Sequence, residues 1–169
     1  MMELSNWLFL NSRTSHHLFS PMRHRFASST DTQILGELNH QLIRDEGHRN
    51  RMSIPELVTR IEKWLASGYR VSIFEDDSGV LAYALYREEV DHLYLRQFFV
   101  QRHQRRNGVG RQCIQTLVTE IWPQDKRITV NVLCHNHAGT AFWRAVGFTD
   151  YCLTLEKQPG EKEAGRGEK

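Results

Sequence analysis

Two short segments hold the residues best suited to chemistry. One is Arg105-Arg106-Asn107-Gly108-Val109-Gly110, which follows the apolar run Phe98-Phe99-Val100. The other is Asn136-His137-Ala138-Gly139-Thr140-Ala141-Phe142-Trp143, ending in Gly147-Phe148. The first reads as a strand, a loop with two glycines and the opening of a helix. Glycines let backbone N–H groups come close to a ligand, and a helix N-terminus carries partial positive charge. Together they suit an anionic group such as a pyrophosphate. Alone, Gly-x-Gly fits a plain strand-to-helix turn as well. Both segments in this order are more specific.

Taken together, the segments resemble the GNAT superfamily of acetyl-CoA-dependent N-acetyltransferases. The family's Arg/Gln-x-x-Gly-x-Gly/Ala loop is matched by Arg105, Gly108 and Gly110. Its second signature is an Asn after a strand, a short helix with an aromatic residue, then Gly-Phe. Asn136, Phe142-Trp143 and Gly147-Phe148 match it, and the close resemblance runs from Tyr94 to Tyr151. The resemblance implies an α/β fold: a mixed central β-sheet with two central parallel strands splayed around the acyl-CoA site, and helices on both faces. It implies that the backbone of Phe98, Phe99 and Val100 holds the pantetheine arm and that Arg105, Arg106, Asn107, Gly108, Val109 and Gly110 hold the pyrophosphate. Asn136 and Trp143 would contact the cofactor from the opposite strand. A backbone N–H near Phe99 or Val100 would stabilise the thioester oxygen.

The implied reaction moves acetyl from acetyl-CoA to a primary amine by direct attack in a ternary complex, without a metal. An alkyl amine with a pKa near 10.4 is neutral in roughly one molecule in two thousand at pH 7, so a base is worth about 4 to 5 kcal/mol. A leaving thiol with a pKa near 8.5 needs only about 2 kcal/mol. Against the family pattern, Trp143 stands where many members have a Tyr acid, and indole cannot give up a proton at useful pH. Asn131 and Tyr94 stand where members place a Glu base. Tyr94 and Arg96 alternate with Phe98 on one strand face, so Tyr94 can relay a proton through water; a half-buried strand aromatic explains it equally. Asp45, Glu46 and His48, at the end of the first helix, fall where the family builds its acceptor pocket, or they form a solvated loop. The acids from Asp45 to Asp91 favour a cationic acceptor unless they are only surface. The rival reading is a non-catalytic acyl-CoA-binding sensor.

At 169 residues, with 40% hydrophobic and 25% charged residues, the chain has the composition of one globular domain. A net charge of +2 disfavours a dedicated nucleic-acid or membrane binder, and no apolar run has membrane length. Cys113, Cys134 and Cys152 have neither disulfide nor zinc spacing and sit in apolar stretches. They read as small core residues in a reducing, cytoplasmic setting. Residues 1–21, rich in Ser with one acid, read as a loosely packed extension or an upstream start. Residues 22–158 read as the transferase domain and 159–169 as a disordered tail.

The elements that position these residues alternate along the domain. A first strand covers 22–27. Ile34, Leu35, Leu38, Leu42 and Ile43 recur at helical spacing. Ser53-x-x-Glu56 with Pro55 opens a second helix, whose stripe is Leu57, Val58, Ile61, Trp64 and Leu65. Strands at 69–75 and 80–87 flank the turn Asp76-Asp77-Ser78-Gly79. A strand at 93–100, a helix at 110–122 and a strand at 128–134 form a βαβ unit. A short helix covers 138–146, and 148–156 reads as the last strand.

Overall fold

A computed structural model describes residues 21–157. Of the extension expected at 1–21, residues 1–20 lie outside the described residues, as does the tail expected at 159–169. Two compact units divide the chain between Leu133 and Cys134.

The first unit is a five-stranded sheet with helices. Its elements are β1 (Arg23–Phe26), α1 (Thr32–Asp45), α2 (Ile54–Ala66), β2 (Arg70–Asp76), β3 (Gly79–Glu88), β4 (His92–Val100), α3 (Val109–Thr116) and β5 (Arg127–Val130). The strands lie in sequence order, β1 to β4 antiparallel and β5 parallel to β4. The chain enters α2 as the sequence predicts: Glu56 Oε2 accepts from the Ser53 N–H and the Ser53 hydroxyl, both at 2.7 Å. In the β2–β3 turn, the Ser78 N–H donates to Asp76 Oδ1 at 2.7 Å.

One sheet face packs on α1 and α2. Leu35, Leu38 and Leu42 of α1 and Ile61 of α2 meet Val71, Ile73, Tyr83, Leu85 and Phe99. The opposite face meets α3 and its continuation, a π-helical turn at Leu117–Ile121. There Tyr86 packs edge-on against Trp122 at 5.5 Å, and Cys113, Ile114 and Leu117 are buried. Helices therefore cover both faces. The α1–α2 crossing is close enough that a Cβ on Gly36 would lie 2.5 Å from the Val58 side chain.

A bulge changes the expected alternation of β4. Leu85 pairs with Gln97, but Tyr86 pairs with Leu95, so Arg96 is an extra residue. Tyr94 and Arg96 consequently share the helical face with Phe99, while Phe98, opposite Ala84, faces the other way. Strict alternation put Phe98 with Tyr94; one inserted residue inverts that.

The second unit begins at Cys134 and holds α4 (His137–Ala145) with the segments before and after it. The strand expected at 148–156 does not form: the described residues there have no regular structure, and Tyr151, Leu153 and Leu155 are exposed. Their alternation is a strand pattern, but no ladder partner is present among the described residues. The cysteine reading also changes. Cys113 is fully buried, whereas Cys134 and Cys152 are exposed.

Candidate active site

The geometry of β4 decides which backbone groups face outward. The Gln101 N–H donates to Leu81 O at 2.9 Å, and Phe99 lies opposite Tyr83. In an antiparallel ladder the outward and inward pairs alternate, so the amide groups of Phe99 face β3 while those of Phe98 and Val100 face the β5 side. β5 does not follow them: its register with β4 ends at Leu95 and Val130. The two parallel strands therefore pair at one end and part at the other. Phe99 itself is 1% exposed and serves as core.

Beyond Val100 a short 3₁₀ turn, Arg102–Gln104, leads into the loop. Arg106 adopts φ 67° and Gly108 φ 82°, left-handed conformations that turn the chain into α3. Gly108 is the N-cap, and its carbonyl accepts the first helical bond, from the Gln112 N–H at 3.0 Å. The amides of Val109, Gly110 and Arg111 thus open the helix without intrahelical acceptors, the arrangement that attracts an anion. Arg106 and Asn107 are exposed beside them, and among the described residues nothing but its chain neighbours lies within 4 Å of where a Gly108 Cβ would stand.

Asp45, at the end of α1, is fastened to this loop. Arg102 donates its Nε to Asp45 Oδ1 at 2.9 Å and Arg105 its Nη2 to Oδ2 at 2.5 Å. These bonds hold the Asp45 carboxyl below the usual carboxylate range. Arg105 also donates Nε to the Val100 carbonyl at 2.8 Å and stands over the Phe99 ring at 5.2 Å. Asp45 is therefore a tether to the loop and not a solvated loop residue. No motif announces such a pairing, because its partners are 57 and 60 residues away.

On the helical face, Asn131 Nδ2 donates to the Tyr94 hydroxyl at 3.2 Å. Tyr94 is opposite Thr129 in the parallel register, so Asn131, two residues on, projects from the same side. Neighbouring Gln97 links the buried Tyr83 hydroxyl, 3.1 Å, to Asn39 Oδ1, 2.8 Å. Burial pushes the Tyr83 phenol up.

In the second unit, the residues of the other motif build α4. Asn136 is its N-cap, with Oδ1 accepting from the Gly139 N–H at 2.9 Å. A Cβ on Gly139 would stand 2.6 Å from that amide group, so glycine belongs to the cap. At the other end Gly147 takes φ 99°, the Phe148 N–H returns to Trp143 O at 3.0 Å, and the Gly147 N–H returns to Arg144 O at 3.1 Å. That is a Schellman stop. Its accompanying apolar contact is Trp143 on Phe148, 5.0 Å between ring centroids, with Phe142 at 5.1 Å.

The family model of the acetyltransferase (GNAT) family matches residues 38–148. The chain belongs to that family. Solved structures share its fold. A possible acetyltransferase from Clostridium difficile superposes with a TM-score of 0.65 at 13% identity, over 83% of this chain and 98% of that one. A predicted acetyltransferase from Clostridium acetobutylicum, solved with acetyl-CoA, gives 0.64 at 19% identity, over 82% and 96%. An aminoglycoside 6'-N-acetyltransferase from Acinetobacter haemolyticus gives 0.65 at 16% identity, over 83% and 99%. No curated protein sequence matches the chain. Membership of this family makes the chain an acetyltransferase-type protein, and among the described residues no helix is long and apolar enough to cross a membrane.

Proposed function

We propose that the protein is an N-acetyltransferase that moves acetyl from acetyl-CoA to a primary amine in a ternary complex. The observation that carries this reading is the parting of β4 and β5 beside the α3 N-terminus. It supports a pantetheine arm running along the Val100 edge and a pyrophosphate against the amides of Val109, Gly110 and Arg111. The exposed Arg106 and Asn107 are further pyrophosphate contacts in this reading, and Phe98 contributes backbone to the arm.

The amine nitrogen attacks the thioester carbonyl, and an N–C bond forms as the C–S bond breaks. The electron pair of that bond leaves with the CoA thiolate, which takes up a proton, and the new ammonium gives one up. The Val100 N–H is the donor for the carbonyl oxygen as it gains charge. Tyr94, its hydroxyl oriented by Asn131, relays the amine's proton to solvent through water. Residues 22–158 are proposed as the catalytic domain.

Incubating the purified chain with acetyl-CoA and a library of amines, read by mass spectrometry, tests the proposal. N-acetyl product with stoichiometric free CoA supports it. Tight CoA binding with no product from any amine would favour the sensor reading instead.

A further inference from the structure

Arg60 of α2 and Arg96 of the β4 bulge converge on one indole. Their guanidinium carbons stand 4.7 and 4.6 Å from the centre of the Trp64 ring. Arg96 also reaches Tyr69, at 5.9 Å. The ring face attracts each cation but leaves their positive charges without a counter-charge. Among the described residues no carboxylate bonds either guanidinium.

The pair is also under electrostatic strain. Burial and the charge of Arg96 both press the Arg60 guanidinium below its ordinary value. Arg60 Nε is buried and has no hydrogen-bond acceptor among the described residues. A buried donor left so costs free energy unless a ligand or water completes it. Arg60 also borders a groove along α2 with Met52, Pro55, Thr59 and Lys63, which neither Trp64 nor Arg96 lines. The carboxylate lining that groove, Glu56, is engaged in capping Ser53.

We propose that Arg60 and Arg96, held on Trp64, bind a carboxylate of the acceptor, so that the substrate is an amine that also carries an acid group. This rests on the acetyl-transfer reading above, and it replaces the cationic acceptor that the surface acids suggest. Alternation sets Arg96 on the face of Tyr94, and the bulge brings Phe99 and the core under α1 and α2 to that same face. Arg96 is four strand residues from Val100, or about 13 Å along the backbone at about 3.3 Å per residue. The acceptor's amine and carboxylate must then be separated by a length on the order of 10 Å, less what the arginine side chains span. A long ω-amino acid or a short peptide with a free C-terminus meets that; glycine does not.

The test has two arms on the full chain. In the first, 6-aminohexanoate and hexylamine are compared as acceptors with saturating acetyl-CoA. The kcat/KM ratio favours the acid in the natural sequence, and Arg96→Gln or Arg60→Gln lowers that ratio about ten- to a hundredfold, mostly through KM, as loss of a charge-assisted hydrogen bond requires. In the second arm, glutarate, which has no amine, is titrated into ¹⁵N-labelled protein. The Trp64 indole and Arg60 Nε signals shift saturably with glutarate, not with chloride at equal ionic strength, and the shift disappears in Arg96→Gln. Equal use of the two amines, or glutarate shifts matched by chloride, overturns the inference. Saturable glutarate shifts without acetylation of any amine would sink the transferase reading and leave the carboxylate site standing.

Discussion

Asn131 and Tyr94, on neighbouring parallel strands, are joined by a 3.2 Å hydrogen bond from amide to phenol. Both stand where the family resemblance leads one to look for a carboxylate. The pair joins them instead as an uncharged couple, with the Tyr94 O–H still able to donate. If this couple relays the proton, Tyr94→Phe lowers kcat about a hundredfold, at the modest end of general acid–base effects, and leaves the Kd for acetyl-CoA unchanged. Asn131→Ala, which only frees the phenol to rotate, has a smaller effect. Rates for both variants across pH, with CoA affinity by calorimetry, decide this; an unaltered kcat in Tyr94→Phe removes Tyr94 from the reaction.

Gly108 combines a left-handed backbone with open space on its Cβ side. Gly108→Ala is expected to destabilise the fold by about 1 to 2 kcal/mol through backbone strain alone. Gly108→Trp additionally fills the space beside the α3 amides and abolishes CoA binding in protein that still unfolds cooperatively. Thermal unfolding and calorimetry separate the two effects, and a folded Gly108→Trp protein with normal CoA affinity would refute the pyrophosphate assignment.

Asp45 neutralises part of the basic loop while fixing two of its arginines. Asp45→Asn should therefore reduce stability by about 1 to 3 kcal/mol, the usual loss for hydrogen bonds to charged partners. It should also steepen the salt dependence of CoA binding, because Arg102 and Arg105 become less compensated. Urea unfolding and CoA titrations at two salt concentrations measure both. A salt slope identical to the natural sequence would mean that these arginines do not sense the ligand.

Asp31 joins β1 to the start of α1. Its side chain is 9% exposed and accepts from Arg25 at 2.8 and 3.0 Å and from the Ser28 N–H at 2.7 Å. Bonding to Arg25 holds its carboxyl below the ordinary value. A group depressed in the folded state contributes stability that is full above the unfolded value, about 3.9, and is lost as pH falls from there through the folded value. Asp31→Asn should cost about 1 to 3 kcal/mol at pH 7 and flatten the acid limb of the stability curve. Urea midpoints from pH 7 to 3 provide the check.

Much of the fold was legible because local rules and burial agreed. Ser53, Pro55 and Glu56 announce α2, and the apolar spacing around Leu57 and Ile61 is the spacing that packs. The Gly108 loop and the βαβ order could be read for the same reason. Arg96 could not: a bulge is one unpaired residue whose existence depends on β3, and periodicity within β4 contains no trace of it. The apolar alternation at Tyr151, Leu153 and Leu155 misled in the opposite direction, since a pattern says which face a strand would bury and not whether an edge receives it. In the second motif the resemblance implies cofactor contacts at Asn136 and Trp143, while locally Asn136 caps the start of α4 and Trp143 packs on Phe148 at its end. The Arg60–Arg96 convergence on Trp64 was illegible because it joins a helix to the bulge.

The unequal burial of the cysteines makes the molecule its own gauge of opening. Cys134 and Cys152 are exposed, while Cys113 is fully buried and desolvation raises its thiol to about 12. Only the thiolate reacts with alkylating reagents, so Cys113 is silent for as long as α3 stays docked on the sheet. A reagent therefore modifies two sites promptly and the third only during excursions that undock α3. The rate of that third event, followed by intact mass, gives the free energy of lifting the helix that carries the anion-binding amides.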